Sequence, residues 1–124
     1  MNSAIIKKTL VIGASENPNR YSNKAIQSLR AYGHEVVAIG LRAGTVSGVS
    51  FDKEKTNFTD VDTVTLYVNP QNQQEYYDYI LGLNPKRIIF NPGTENMELE
   101  RKANALGIQT MEACTLVLLS IGQY

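Results

Sequence analysis

Short apolar runs rich in β-branched residues alternate along this chain with stretches whose apolar positions recur at helical spacing. Residues 9–13 (TLVIG) form such a run and end in glycine, the pattern of a strand buried on both faces. A polar loop follows over 14–20. From Tyr21 onward Ala25, Ile26, Leu29 and Tyr32 fall on one helical face, and Gly33 supplies the stop. The second strand is 34–40 (HEVVAIG), and 41–59 reads as a long loop with room for one short turn or strand. A β-branched third strand, 61–69, ends at Pro70, and a helix is predicted over 71–83, stopping before Asn84-Pro85. The fourth strand, 86–91 (KRIIFN), closes at Pro92-Gly93. Residues 95–106 form a helix with an acidic first turn and Gly107 just beyond its end. A short fifth strand (108–111) and an apolar helical turn (115–121) complete the chain.

Strict alternation of strand and helix predicts one α/β, doubly wound, Rossmann-like domain over 1–124, with a five-stranded parallel sheet between helical layers. The expected strand order is 3-2-1-4-5. Such a sheet binds ligands in the crevice at the carboxyl ends of its strands, where successive connections leave in opposite directions. At 124 residues the chain is long enough for a single core without disulfide or metal support.

Charge narrows the partners. Twelve basic residues balance twelve acidic ones, so no overall field draws the protein to nucleic acid or to an anionic membrane. Any anion must be held locally. The stretch MNSAIIKKTLVIGAS lacks the order of a signal peptide, and no eighteen-residue apolar run occurs, so a cytoplasmic location is expected.

The first strand runs into Gly13-Ala14-Ser15-Glu16-Asn17-Pro18-Asn19-Arg20-Tyr21-Ser22 and then a helix, which brings main-chain N–H groups and a positive helix end to the crevice. This suits a phosphate. The loop is not the dinucleotide fingerprint, because Ala14 and Ser15 stand where a second glycine should admit a pyrophosphate. Nor does an acidic residue follow strand two to take the ribose hydroxyls. Arg42 stands there instead, suited to a ribose that carries a phosphate, as in NADP or coenzyme A, unless it is simply a solvated arginine. Two further turns share this edge, one with Val68, Asn69 and Pro70 and one with Asn91 and Gly93.

Catalytic chemistry is hard to find. Cys114 lies near the end of strand five, while His34, expected to be a surface turn residue, precedes strand two at the opposite edge of the sheet. With one histidine and one cysteine there is no metal-ligand set. Glu16 is expected to face solvent, since pointing inward it would repel an anion. Tyr76, Tyr77 and Tyr79 lie on more than one helical face. Either they and the apolar tail (Leu116, Val117, Leu118, Leu119, Ile121) finish the core, or they form a homodimer surface.

The strings VIGASENPNRYS, LYVNP, IIFNPGTEN and EAC, with Arg42 after strand two, resemble the small bacterial CoA-binding proteins, whose domain is similar to the N-terminal domain of succinyl-CoA synthetase α-subunits. The resemblance spans nearly the whole chain. It implies that Gly13, Ala14, Ser15, Arg20 and Ser22, with Asn17 in the same loop, face the CoA phosphates, and that Arg42 stands where the family usually has lysine. The chain departs from the family at Gly40-Leu41, at Asn91-Pro92 and at Ala113. The expectation is a non-catalytic binder of coenzyme A or acyl-CoA, acting as carrier, sensor or partner protein. The alternatives are a small NADP-dependent oxidoreductase and a nucleotide-free interaction module.

Overall fold

The computed structural model describes residues 5–124; the first four residues of the stretch read as lacking a targeting signal lie outside them. Five parallel strands form the sheet: β1 (Thr9–Ala14), β2 (Val36–Gly40), β5 (Thr63–Leu66), β6 (Arg87–Phe90) and β7 (Gln109–Glu112). Between β2 and β5 lies an antiparallel hairpin, β3 (Gly44–Val46) and β4 (Val49–Phe51). The helices are α1 (Tyr21–Ala31), α2 (Pro70–Gln73), α3 (Tyr77–Leu83), α4 (Met97–Ala105) and α5 (Thr115–Ser120), with a 3-10 turn (Gln74–Tyr76) joining α2 to α3.

Alternation along each strand builds two cores. Leu10, Ile12, Val64, Leu66, Ile88 and Phe90 pack with Ile80 of α3 and with Leu99 and Ala103 of α4. On the other face Val11, Val36 and Ala38 pack with Ile26 and Leu29 of α1 and Leu119 of α5. No helix among the described residues is long and apolar enough to cross a membrane.

The fold class is the expected one, but the strand order is not. Counting the five sheet strands along the chain, the order is 2-1-3-4-5 rather than 3-2-1-4-5. The hairpin explains the difference. It lies along the outer edge of β2, where Ile39 bridges Asp52 and the Gly40 N–H donates to the Asp52 carbonyl at 3.0 Å. The third strand is thereby directed to the inner side of β1, where its four residues are all buried. The crevice therefore opens between β1 and β5, because β1 leads through α1 to one side and β5 through α2 and α3 to the other.

Two local expectations also shift. The helix predicted over 71–83 is interrupted by the 3-10 turn, and it ends at Asn84 in a left-handed conformation (φ 50°). The helix predicted from 95 starts at Met97: Asn96 Oδ1 accepts from the Glu98 and Leu99 N–H groups, while Glu95 turns back to accept from Gly93 N–H. The tyrosines complete the monomer. Tyr76 is buried, Tyr77 donates to Glu98 and Tyr79 donates to the Thr56 carbonyl. Of the apolar tail, Val117 and Ile121 remain exposed, one helical turn apart.

Candidate functional site

The site begins where β1 meets its loop. Gly13 has φ +101°, and a Cβ there would lie 2.9 Å from the Tyr67 carbonyl oxygen, so only bare backbone fits. Gly40, at the end of β2, is held by a close approach instead. A Cβ on it would collide with the Ala14 carbonyl and come within 3.1 Å of the Phe51 ring.

The loop that follows is shaped by its own polar groups. Ser15 Oγ accepts from Asn17 N–H, Asn17 Oδ1 accepts from Asn19 N–H, and the Asn17 carbonyl accepts from Arg20 N–H, each at 3.0 Å. Asn23 Nδ2 ties the helix back to the Ser15 carbonyl, and Ala14 and Ser22 are buried. Arg20 caps α1 in an extended conformation without a side-chain hydrogen bond to the helix, which leaves the first N–H donors of α1 uncapped. By contrast α2 is capped by Asn69 and α4 by Asn96. Arg20 and Arg42 are exposed, and among the described residues no hydrogen bond or ion pair engages either guanidinium.

Glu16 is exposed as expected, but it is not idle. Its Oε2 accepts from Thr45 N–H at 2.9 Å, which fastens the loop to the β3–β4 hairpin and holds the carboxylate on a donor. The sequence leaves room for one short turn or strand over 41–59 but does not specify a two-stranded hairpin, so this contact was not expected.

The other two turns are differently built. Gln73, fully buried, donates through Nε2 to the Val68 carbonyl at 2.9 Å and the Thr94 carbonyl at 2.7 Å, and accepts from Asn96 Nδ2. Asn91 Nδ2 donates to Thr65 Oγ1 and the Leu66 carbonyl, and its Oδ1 accepts from Thr115 N–H. Asn91 is thus committed to joining β5, β6 and α5. Gly93 lies exposed in the next turn, and Pro70 begins α2.

A cleft of about 200 Å3 opens beside these turns, lined by Gly13, Gly40, Leu41, Val68, Asn72, Glu75 and Tyr76. The sequence does not single out Asn72 and Glu75, and it marks Tyr76 only as core or homodimer surface. Their helical spacing after a strand-ending proline was the available signal. A larger hollow, about 520 Å3, lies at the amino ends of the strands, between Lys8, Glu35, Asp60, Asp62 and Lys86. It is an open surface of mixed charge, away from the edge where doubly wound sheets bind ligands.

Titratable groups near the sheet are shifted chiefly by burial. The Tyr67 hydroxyl is buried without a hydrogen-bond partner among the described residues, and burial pushes it well above the ordinary tyrosine value. Cys114 is a half-buried free thiol at the start of α5. His34 is buried rather than at the surface: its Nδ1 accepts from Lys7 N–H at 3.0 Å and its ring packs on Tyr124 at 4.9 Å. Burial, then the Lys7 and Arg87 charges, hold it below its usual value. Among the described residues no three His, Cys, Asp or Glu side chains gather as a metal site.

A family model described as a CoA binding domain matches residues 7–120. The chain belongs to the CoA-binding domain family. A solved structure described as an uncharacterized protein is similar to this CoA-binding domain at 49% identity and TM-score 0.95, over 98% of this chain and all of the other. A hypothetical protein from Pyrococcus horikoshii OT3 is 25% identical, with TM-score 0.81 over 90% of this chain and 80% of that one. The same fold occurs in the dinucleotide-forming acetyl-coenzyme A synthetase 1 of Ca. Korarchaeum cryptofilum, solved with phosphate and ADP. That chain is 21% identical with TM-score 0.70, over 86% of this chain and 25% of the synthetase. None of the curated proteins matches the sequence.

The residues of this CoA-binding domain fit the chemistry of that ligand. CoA carries a diphosphate and a 3′-phosphate, which call for N–H donors and cations. The uncapped end of α1, Arg20 and Arg42 offer both, and the loop's carboxylate is already held by Thr45.

Proposed function

We propose that this domain reversibly binds CoA or an acyl-CoA at the carboxyl ends of its parallel strands and makes or breaks no bond in it. In this reading the diphosphate lies on the loop 13–22 and the end of α1, Arg42 meets the 3′-phosphate, and the pantetheine arm runs past Val68, Asn69 and Pro70 towards Asn91 and Gly93. The protein acts as a cytoplasmic carrier, sensor or partner of acyl-CoA enzymes.

The observation that carries the reading is the start of α1, without a side-chain cap, beside a glycine that admits only bare backbone, with Arg20 and Arg42 exposed and without an ion-pair partner among the described residues. A binding role without catalysis is supported by the position of His34. The base that Cys114 would need is buried at the far edge of the sheet, against Tyr124.

The test is a calorimetric titration of ligand-stripped protein with CoA, dephospho-CoA and NADP. CoA is expected to bind tightest, and loss of the 3′-phosphate to weaken binding roughly ten- to a hundredfold, the worth of a hydrogen bond between charged groups. Tighter binding of NADP, or silence from all three, would contradict the reading.

A further inference from the structure

The amino edge of the sheet, away from the crevice, gathers two cations. Arg87 opens β6 and is buried, and Lys7 precedes β1; among the described residues neither forms an ion pair with a carboxylate side chain. A buried charge must be answered by some other group. Here that group is Tyr124, just beyond α5. Its main-chain oxygen accepts from Arg87 Nη1 at 2.7 Å and from Lys7 Nζ at 2.8 Å. Both cations also lie over its ring, the Arg87 guanidinium carbon at 4.4 Å from the centroid and Lys7 Nζ at 5.8 Å, and its hydroxyl meets Thr9 Oγ1 at 2.6 Å. The buried His34 ring closes the seat, 4.9 Å from the Tyr124 ring.

His34 is the member of this cluster whose charge changes near neutral pH. In the seat it is uncharged, because its Nδ1 accepts from Lys7 N–H at 3.0 Å, and a protonated ring has no nitrogen left to accept. Protonation sets donor against donor at Lys7 and adds a third positive charge beside Lys7 and Arg87. The acid that acts on the ring is Asp62, whose Oδ1 already accepts from Thr63 Oγ1, and the neighbouring Glu35 is engaged by Lys8 at 3.5 Å. The face of Tyr124 attracts a cation, but Arg87 and Lys7 already use it. We propose that the residues after α5 form an acid-released latch: Tyr124 docks on Lys7, Thr9, His34 and Arg87 while His34 is neutral, and protonation of His34 ejects it. The moving part is short. Gly122, at φ 73°, ends α5, and Leu119 keeps that helix in the core.

The test follows the ring signals of His34 and Tyr124 by NMR in the full chain from pH 8 to 5, with the amides of β5 and β6 as a record of the folded core. Tyr124 is expected to move to the signals of a solvated tyrosine and to lose its contact with the His34 ring. The midpoint should be that of His34 itself, below the ordinary value of 6.5, while the core signals hold. In His34→Gln, which carries no titrating ring, Tyr124 should stay docked over the whole range. In Tyr124→Ala the His34 midpoint should shift upward, because docking and protonation oppose each other through one linkage. Tyr124 signals that stay in place while His34 titrates, that move equally in His34→Gln, or that move only as the core unfolds overturn the latch. A His34 midpoint that is unchanged or lowered in Tyr124→Ala overturns it as well, since it marks a tyrosine ring that does not oppose the charged histidine.

Discussion

The turns at the carboxyl edge of the sheet use the same residue types to opposite ends. After β5 and β6, Asn69, Gln73, Asn91 and Asn96 direct their amides at neighbouring backbone, capping α2 and α4 and tying β5, β6 and α5 together. After β1, the hydrogen bonds of Ser15 and Asn17 stay within the loop, α1 has no side-chain cap, and no hydrogen bond or ion pair among the described residues engages the Arg20 or Arg42 guanidinium. A polar side chain satisfied inside the protein holds the fold. A donor left open beside a bare glycine is available to a ligand. The difference between scaffold and site lies in which groups remain unpaired, since both turns are rich in Asn, Pro and Gly.

The comparison breaks most sharply at Asn91. Replacing it with Ala removes the partner of the Thr115 N–H and of the Leu66 carbonyl in the interior, and a loss of about 2–6 kcal/mol is expected in denaturant unfolding, at about 1–3 kcal/mol for each group left unsatisfied. Gly13→Ala places a Cβ against the Tyr67 carbonyl at positive φ, so stability should fall by about 1–3 kcal/mol with CoA affinity reduced as well. A native-like melt for either variant would remove the distinction.

At the opposite edge, His34 gives a pH signature. Its pKa in the fold lies below the unfolded value of 6.5, so below that pH the unfolded chain binds more protons and stability declines as the pH falls. Unfolding free energies measured from pH 8 to 5 should show this slope in the native chain and lose most of it in His34→Gln. The smallest effect on the fold is expected at Arg20. Its exposed guanidinium has no hydrogen-bond or ion-pair partner among the described residues, so Arg20→Ala should shift stability by less than about 0.5 kcal/mol while weakening CoA binding.

The same contrast sets how much the sequence revealed. The helices and the five sheet strands were readable because each carries its own period, from TLVIG to the helical spacing of Ala25, Ile26 and Leu29. Strand order was not, because the hairpin that covers the β2 edge is made of three-residue strands too short to leave a pattern. The first loop and Arg42 could be marked as site candidates by their place after buried strands. Glu16 and Gln73 could not, since each meets a partner far along the chain, 29 residues away for Glu16 and 21 for Gln73. The interior bonds of Asn91 were not legible either, because an exposed turn and a buried bracket use the same residue.

The most direct measurement is a ligand-by-mutation cycle: CoA and dephospho-CoA titrated into the native chain and into Arg42→Ala. If the open arginine meets the 3′-phosphate, the native chain prefers CoA roughly ten- to a hundredfold and the variant binds the two alike. A preference for CoA that survives intact in Arg42→Ala would contradict the account.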